Sequence, residues 1–324
     1  MKKSTLIILF SILSLTVSYT KTIGEYPKTG KVINSWEGEL FPLINGTYWR
    51  YVNQVIDKDG KIYDLDVYKY LLISSSSYEY YKRAEKFSKE EILQLLASIY
   101  KKSRKEIFHL KKEQLLSLLI YNFEPKPAGP FYVLLYKDGK EKSSEGRIEI
   151  KREGKFLVRS TVHINYIKKG EKQIKRIWWG KYLPIGRVSI GQKWTSGRNS
   201  GDIDKSKNSS KWEIEYEIIG SDVREIGVDK FICYIVGWWT LSKKDGKYEK
   251  INSSPSLKMW IAPNIGIVVE ANNPQEKIIN RDILIEYYRP DKNFWWYTSE
   301  KIVPDIPPYV KGVDRRPYPR LTDD

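Results

Sequence analysis

Adjacent tryptophans are the residues in this 324-residue chain best suited to meet a ligand: Trp178-Trp179, Trp238-Trp239 and Trp295-Trp296. Neighbouring side chains in a regular strand point to opposite faces of its sheet. One ring of each of the first two pairs would then enter the core while the other meets a second surface. Rings exposed on a concave sheet stack on sugars or line an apolar cavity. Trp178, Trp179, Trp238 and Trp239 are therefore the candidate binding residues. The competing reading is that helices and the C-terminal tail cover both faces, leaving all four rings structural.

Catalytic and metal chemistry finds little support. The two histidines are His109 and His163. His109 and Glu113 stand four apart and could make half a metal site on a helix, but no second pair has metal spacing, so a solvated helix face is expected. His163 sits in the alternating run Val162-His163-Ile164-Asn165-Tyr166, where it reads as a sheet-surface residue. Cys233, the single cysteine, lies in an apolar run and reads as a buried, inert thiol, because reactive thiols need an electropositive, accessible setting. Asp202-Ile203-Asp204-Lys205-Ser206-Lys207-Asn208, with Glu213 in the twelfth position, imitates a calcium loop. Lys207 replaces the glycine the turn needs and Lys205 adds repulsion, so a polar loop fits better. No nucleophile elbow, phosphate loop or dinucleotide fingerprint is present. No catalytic residue, metal or cofactor is expected. A carboxylate pair set by the fold rather than by spacing stays open.

The elements that must position these residues are mostly strands. Short runs rich in Tyr, Val, Ile and Trp alternate with turns, which indicates an antiparallel meander. Asp59-Gly60, Asp138-Gly139 and Asp245-Gly246 each lie in a Lys-Asp-Gly-Lys sequence, and Asp-Gly suits the two positive-φ positions of a type I′ hairpin. Residues 88–121 differ. Ser88 with Glu91 is a capping box, Ile92, Leu95, Leu96 and Ile99 form one apolar stripe, and Leu115, Leu116, Leu118 and Leu119 form another. The spacing predicts a helical pair inserted into the β body, with a turn or short helix over Ser103 to Leu110 between its members, ending before Glu124-Pro125. After Tyr288 six prolines favour an extended tail, with Phe294 to Tyr297 docking on the body. The fold class expected is mainly β: an antiparallel meandering sheet forming an open, curved, barrel-like body, with an inserted helical pair and a Pro-rich C-terminal tail.

The N-terminus reads as a secretory signal over residues 1–18, followed by a lead over 19–40, a body over 41–288 and the tail over 289–324. Lys2 and Lys3 precede a short apolar run, and Thr16-Val17-Ser18 offers small residues for cleavage before Tyr19. The run is shorter than a membrane span; its rival reading is an uncleaved anchor. No cysteine follows the signal, so a periplasmic or secreted protein without a lipid anchor is expected, with no membrane span after cleavage. The formal charge is +16. Such a protein could meet anionic lipid or acidic glycan, although its lysines are dispersed among glutamates, as on a solvated surface. An exported chain without a helix-turn-helix or zinc-finger pattern points away from nucleic acid.

Four blocks recur in a fixed order: Phe41-Pro42-Leu43-Ile44-Asn45-Gly46-Thr47-Tyr48-Trp49-Arg50-Tyr51, then Leu183 to Thr195 with Gly186, Gly191 and Trp194, then Val223 to Cys233, then Met259-Trp260-Ile261-Ala262-Pro263-Asn264-Ile265-Gly266-Ile267-Val268. Gly46 and Gly191 each precede a tryptophan by three residues, as in a turn followed by a strand whose Trp enters the core. Together the blocks resemble a group of uncharacterised bacterial envelope and secreted β-rich proteins, a TapB-like group. The resemblance spans roughly Phe41 to Glu286 and leaves out the helical insert and tail. Many members are lipoproteins, and this chain lacks their cysteine; Ile226 to Phe231 also departs from the group's Pro-Ala-Gly-x-Phe form. The resemblance implies an open-barrel-like envelope protein and supplies no catalytic residue. The expected function is that of an exported, non-enzymatic protein binding an envelope ligand of unknown identity (lipid, glycan or protein). The alternatives are a hydrolase of envelope polysaccharide and a structural or assembly component.

Overall fold

Alternation of β-branched and aromatic residues makes most of this chain into strands. The computed structural model describes residues 34–57, 59–137, 140–141, 146–166, 172–199, 211–226, 229–272, 279–292 and 294–298. The expected signal, most of the lead, the tail beyond 298, the Asp138-Gly139 turn and the calcium-like loop at 202–210 lie outside the described residues.

The first half of the chain contributes β1 (Ser35–Glu39), β2 (Tyr48–Ile56), β3 (Ile62–Ser74), β4 (Phe131–Lys137), β5 (Lys140–Glu141), β6 (Gly146–Glu153), β7 (Phe156–Tyr166) and β8 (Lys172–Ser189). The second half contributes β9 (Lys193–Asn199), β10 (Lys211–Ile226), β11 (Asp229–Lys244), β12 (Lys247–Lys250), β13 (Leu257–Ala262), β14 (Gly266–Asn272), β15 (Ile279–Arg289) and β16 (Phe294–Tyr297). All pairs are antiparallel, in the order β1-β8-β7-β6-β4-β3-β2-β15-β14-β13-β11-β10-β9. Two meanders, β2 to β8 and β9 to β15, are thus joined along β2 and β15. Their far ends, β8 and β9, meet through side chains: the Trp194 indole N–H donates to the Tyr182 carbonyl at 3.2 Å, and Phe156 lies 6.3 Å from the Trp194 ring. The sheet curls without closing, and β1 adds to the free edge of β8.

The two meanders start in the same way. Gly46 (φ 87°) and Gly191 (φ 86°) occupy the left-handed turn conformation. Gly46 N–H bonds to Leu72 O at 2.9 Å and Leu72 N–H returns to Thr47 O at 2.8 Å; Gly191 N–H bonds to Ile218 O at 2.7 Å and Ile218 N–H returns to Gln192 O at 3.0 Å. Trp49 and Trp194 follow, both buried. A side chain at Gly46 would also meet the Ser117 carbonyl at 2.3 Å, so this turn needs glycine twice over. The first and fourth sequence blocks pack together: Phe41 stacks on Trp49 at 4.8 Å, and Trp49 Nε1–H donates to Ile265 O at 2.6 Å. A Cβ on Gly266 would lie 2.9 Å from Phe41.

The insert between β3 and β4 holds α1 (Tyr78–Ala84), α2 (Lys89–Ser98), α3 (Arg104–Ile107) and α4 (Lys112–Phe123); α2 and α4 are the expected pair, α3 falls in the expected turn or short helix over 103–110, and α1 is additional. The Ser88–Glu91 capping box is formed. Ile92, Leu93 and Leu96 are buried, whereas Ile99, expected in the stripe, is exposed because α2 ends there. α1 was missed because Tyr78 to Ala84 carries aromatics without a helical stripe. It is anchored by polar contacts instead: buried Asn45 donates to Ser77 Oγ at 3.0 Å and Glu124 O at 3.1 Å, and the Glu124 carboxylate accepts from Ser74, Ser76 and Ser77 at 2.6–2.7 Å. Burial opposes ionisation of Glu124, but the three hydroxyls hold its pKa below the usual range.

Two turn expectations also resolve differently. Asp245 (φ 50°) and Gly246 (φ 81°) make the double positive-φ turn. At Asp59-Gly60 only the glycine has positive φ, and the loop is wider, closed by Asp57 N–H to Lys61 O at 2.9 Å. The Asp57 carboxylate takes up the Asp59 and Lys61 N–H groups, which replaces the tighter turn.

Candidate functional site

The curl of the sheet gathers chemistry on its inner face. A cavity of about 120 Å³ is lined by Trp49, Tyr51, Tyr68, Tyr70, Tyr182, Arg159, Glu270 and Asp282, with Phe41, Val133, Ile148, Ile150 and Ile267 completing the wall. Strand register explains the gathering. Trp49 pairs with Tyr70 and Tyr51 with Tyr68 across β2–β3; Asn53 pairs with Asp282 across β2–β15; Asp282 pairs with Glu270 across β15–β14. Directly opposed residues share a face. On the other side Arg159 pairs with Ile150. A bulge between Leu157 and Val158 leaves Tyr182 unopposed in β8 and turns it inward.

The polar groups divide by how well they are held. Asp282 accepts from Asn53 Nδ2 at 2.6 Å and from the Tyr68 hydroxyl; burial raises its pKa while those bonds pull it back. The Arg159 guanidinium lies 5.4 Å from the Tyr182 ring centre and is hydrogen-bonded to it. The Glu270 carboxylate lines the cavity and makes no hydrogen bond or salt bridge with another described residue. Burial pushes its pKa up to about 7, with Arg159 pulling down and Asp282 pushing up. Burial likewise raises Tyr51, Tyr68 and Tyr70. Hydroxyl and indole donors of the wall are largely committed: Tyr51 O–H donates to Ile267 O at 2.8 Å, Trp49 N–H to Ile265 O, and Tyr68 O–H to Asp282.

A second groove, about 570 Å³, separates the insert from the outer face of β2–β4. Its charges of both signs interleave. Glu286 accepts from Tyr48 at 3.0 Å and Arg50 at 3.4 Å, and Lys69 rests 4.8 Å from the Tyr136 ring centre. Among the described residues no group of histidine, cysteine, aspartate and glutamate could hold a metal ion. His109 lies beyond the end of α3 and before α4, so it shares no helix with Glu113. Cys233 is buried, and burial raises its thiol pKa strongly.

The sequence candidates fall differently from the cavity. Trp238 and Trp239 take opposite faces, paired with Tyr216 and Glu215. Trp238 is half-buried on the inner face, 6.2 Å from Tyr216. Trp239 is buried on the other face, with Lys250 3.7 Å from its ring centre. Neither lines the cavity. Trp178 and Trp179 lie in β8, paired with Thr161 and Ser160, and their side chains lie outside the described residues. The residues that do line the cavity carried one legible signal: Arg159 and Glu270 are single charges inside apolar strand runs, Phe156-Leu157-Val158-Arg159 and Val268-Val269-Glu270-Ala271.

Fold and site together define a curled antiparallel β-sheet protein with a half-enclosed interior site of aromatic walls and unequal charges. The chain matches no family model and no curated protein, so the resemblance to envelope proteins is carried by the four sequence blocks. Among solved structures it is similar to a Bacteroides fragilis protein described as a candidate exported protein with a YmcC-like fold, at 10% identity and a TM-score of 0.30 over 78% of this chain and 100% of that one. No helix among the described residues is long and apolar enough to cross a membrane.

Proposed function

We propose that this protein is an exported, non-enzymatic binding protein that takes a small envelope-derived ligand into the interior of its curled sheet. The observation that carries the reading is the cavity itself, where the buried Glu270 carboxylate has no hydrogen-bonding side chain among the described residues and Arg159 offsets its charge only in part. A buried carboxylate without a hydrogen-bond partner destabilises a fold, and a ligand that supplies one would offset that cost. The charged N-terminal run, the small residues before Tyr19 and the four envelope-like blocks support export. Trp238 remains a candidate contact at the rim of the inner face, with its buried indole N–H lacking an acceptor among the described residues; Trp178, Trp179 and Trp239 are proposed only as secondary contacts.

Hydrolysis of envelope polysaccharide is a second reading with its own observation. Glu270 and Asp282 are cross-strand partners, a relation that places Cβ atoms about 4.5–5.5 Å apart, near the carboxyl spacing of about 5–5.5 Å used by retaining glycosidases. The raised pKa of Glu270 would suit an acid. The committed hydrogen bonds of Asp282 and the small cavity favour binding.

Native mass spectrometry of protein purified from its own envelope tests the proposal, alongside an Ile150→Trp variant that fills the cavity. A small-molecule adduct on the wild type, lost in the variant, is the expected result. Intact wild-type protein that carries no adduct would overturn it and favour the structural role. An adduct that is a cleaved glycan would favour hydrolysis.

A further inference from the structure

The cavity wall has an unusual balance of donors and acceptors. Its donors at Tyr51, Trp49 and Tyr68 are committed to Ile267 O, Ile265 O and Asp282. The lining left for a ligand includes the Tyr70 hydroxyl, the Glu270 carboxylate, Asp282 and the parts of the packed Tyr51, Tyr68 and Tyr70 rings that border the cavity. Arg159 is engaged with Tyr182 and also offsets part of the Glu270 charge. The formal charges of Arg159, Glu270 and Asp282 leave the cavity one negative charge in excess. An anion would meet that excess and few free donors. A neutral polyol would find acceptors but leave the carboxylate unmatched.

We infer that the cavity recognises a small organic ammonium group, held by Glu270 against the faces of Tyr51, Tyr68 and Tyr70. Aromatic faces attract a cation through their quadrupoles, and a desolvated site strengthens the attraction. The carboxylate supplies the opposite charge at short range, and Asp282 adds to the field from the next strand. The inference rests on the binding reading of the same cavity and narrows it to one chemical class. It brings a pH dependence as well. Glu270 titrates near neutrality, so ammonium binding weakens as the medium is acidified and the carboxyl takes up its proton. The groups that face it and shape that titration are Asp282 on β15, Arg159 on β7, Tyr70 on β3, Tyr51 on β2 and Tyr182 on β8.

Isothermal titration of the full chain with choline, ethanolamine and the uncharged choline isostere 3,3-dimethyl-1-butanol tests the assignment. Choline or ethanolamine should bind at least about tenfold more tightly than the neutral isostere, a difference of about 1.4 kcal/mol. Glu270→Gln should erase that preference. If Glu270→Gln does not fold, carboxyl-resolved NMR of the wild type reads the same point: an ammonium ligand should lower the Glu270 pKa by about one unit, the equivalent of that tenfold preference, and the neutral isostere should not. Equal or tighter binding of the neutral isostere overturns the ammonium assignment and leaves the cavity as a binding site. Absence of binding by all three probes also overturns the assignment; the binding reading falls with it only if the envelope-purified protein carries no adduct.

Discussion

Strands β2, β3 and β4 carry two different environments on their two faces. The outer face presents Tyr48, Leu71, Ile73, Leu134 and Tyr136, buried under Tyr81 of α1 and Ile120 of α4. The inner face presents Trp49, Tyr51, Tyr68, Tyr70 and Val133 to a cavity that also holds Arg159, Glu270 and Asp282. Alternate residues of the same strands therefore do opposite work. The covered face packs an apolar cluster beside a groove of mixed charge, and its insert is locked by Asn45 and the serine–Glu124 contacts. The curled face keeps space and an unmatched charge. The comparison teaches that the insert is laid on the outer side of these strands, and that the buried Arg159, Glu270 and Asp282 charges lie on the concave side.

Changes that break the filled face should have the largest effect. Ile73→Ala removes a fully buried side chain under the insert and should cost about 2–5 kcal/mol in denaturant unfolding. A loss below about 1 kcal/mol would mean that the insert packs loosely on this face. Next is the unmatched charge. Glu270 has a folded pKa of about 7 against an ordinary 4.5, so the folded state binds the proton more tightly than the unfolded chain. Stability is greatest below about pH 4.5 as far as this group is concerned and falls as pH rises toward 7, by on the order of 3 kcal/mol. Glu270→Gln should flatten that part of the profile; an unchanged slope would assign it to another group. Trp49→Phe leaves Ile265 O without its donor and should cost about 1–3 kcal/mol. Ser88→Ala, which opens the capping box of α2 far from the cavity, should cost about 1 kcal/mol and leave ligand retention unchanged.

Much of the frame was legible from the chain alone. Alternation gave the antiparallel strands, and Gly46 and Gly191 marked turns that each deliver a buried tryptophan. Ser88 with Glu91 marked a helix start because its capping is local. The site was much less legible. Glu270, Asp282, Asn53 and Tyr68 come together through pairing of β2, β3, β14 and β15, and register across distant strands has no local signature. Tyr182 turns inward only because of a bulge. The tryptophan pairs drew attention through size and adjacency, but adjacency guarantees only opposite faces, and Trp239 is packed beneath Lys250. The lone charges Arg159 and Glu270 in apolar runs were the better signal, since a charge in such a run is costly unless it is used.

The two faces are most directly separated by a pair of variants measured for ligand retention and melting temperature: Tyr70→Leu on the inner face and Ile73→Ala on the outer face of the same strand. The account predicts that Tyr70→Leu loses the envelope-derived adduct in native mass spectra with a small change in melting temperature, whereas Ile73→Ala melts markedly lower and its folded fraction keeps the adduct. Retention of the adduct by Tyr70→Leu together with its loss from folded Ile73→Ala would place the ligand on the outer face and contradict the account.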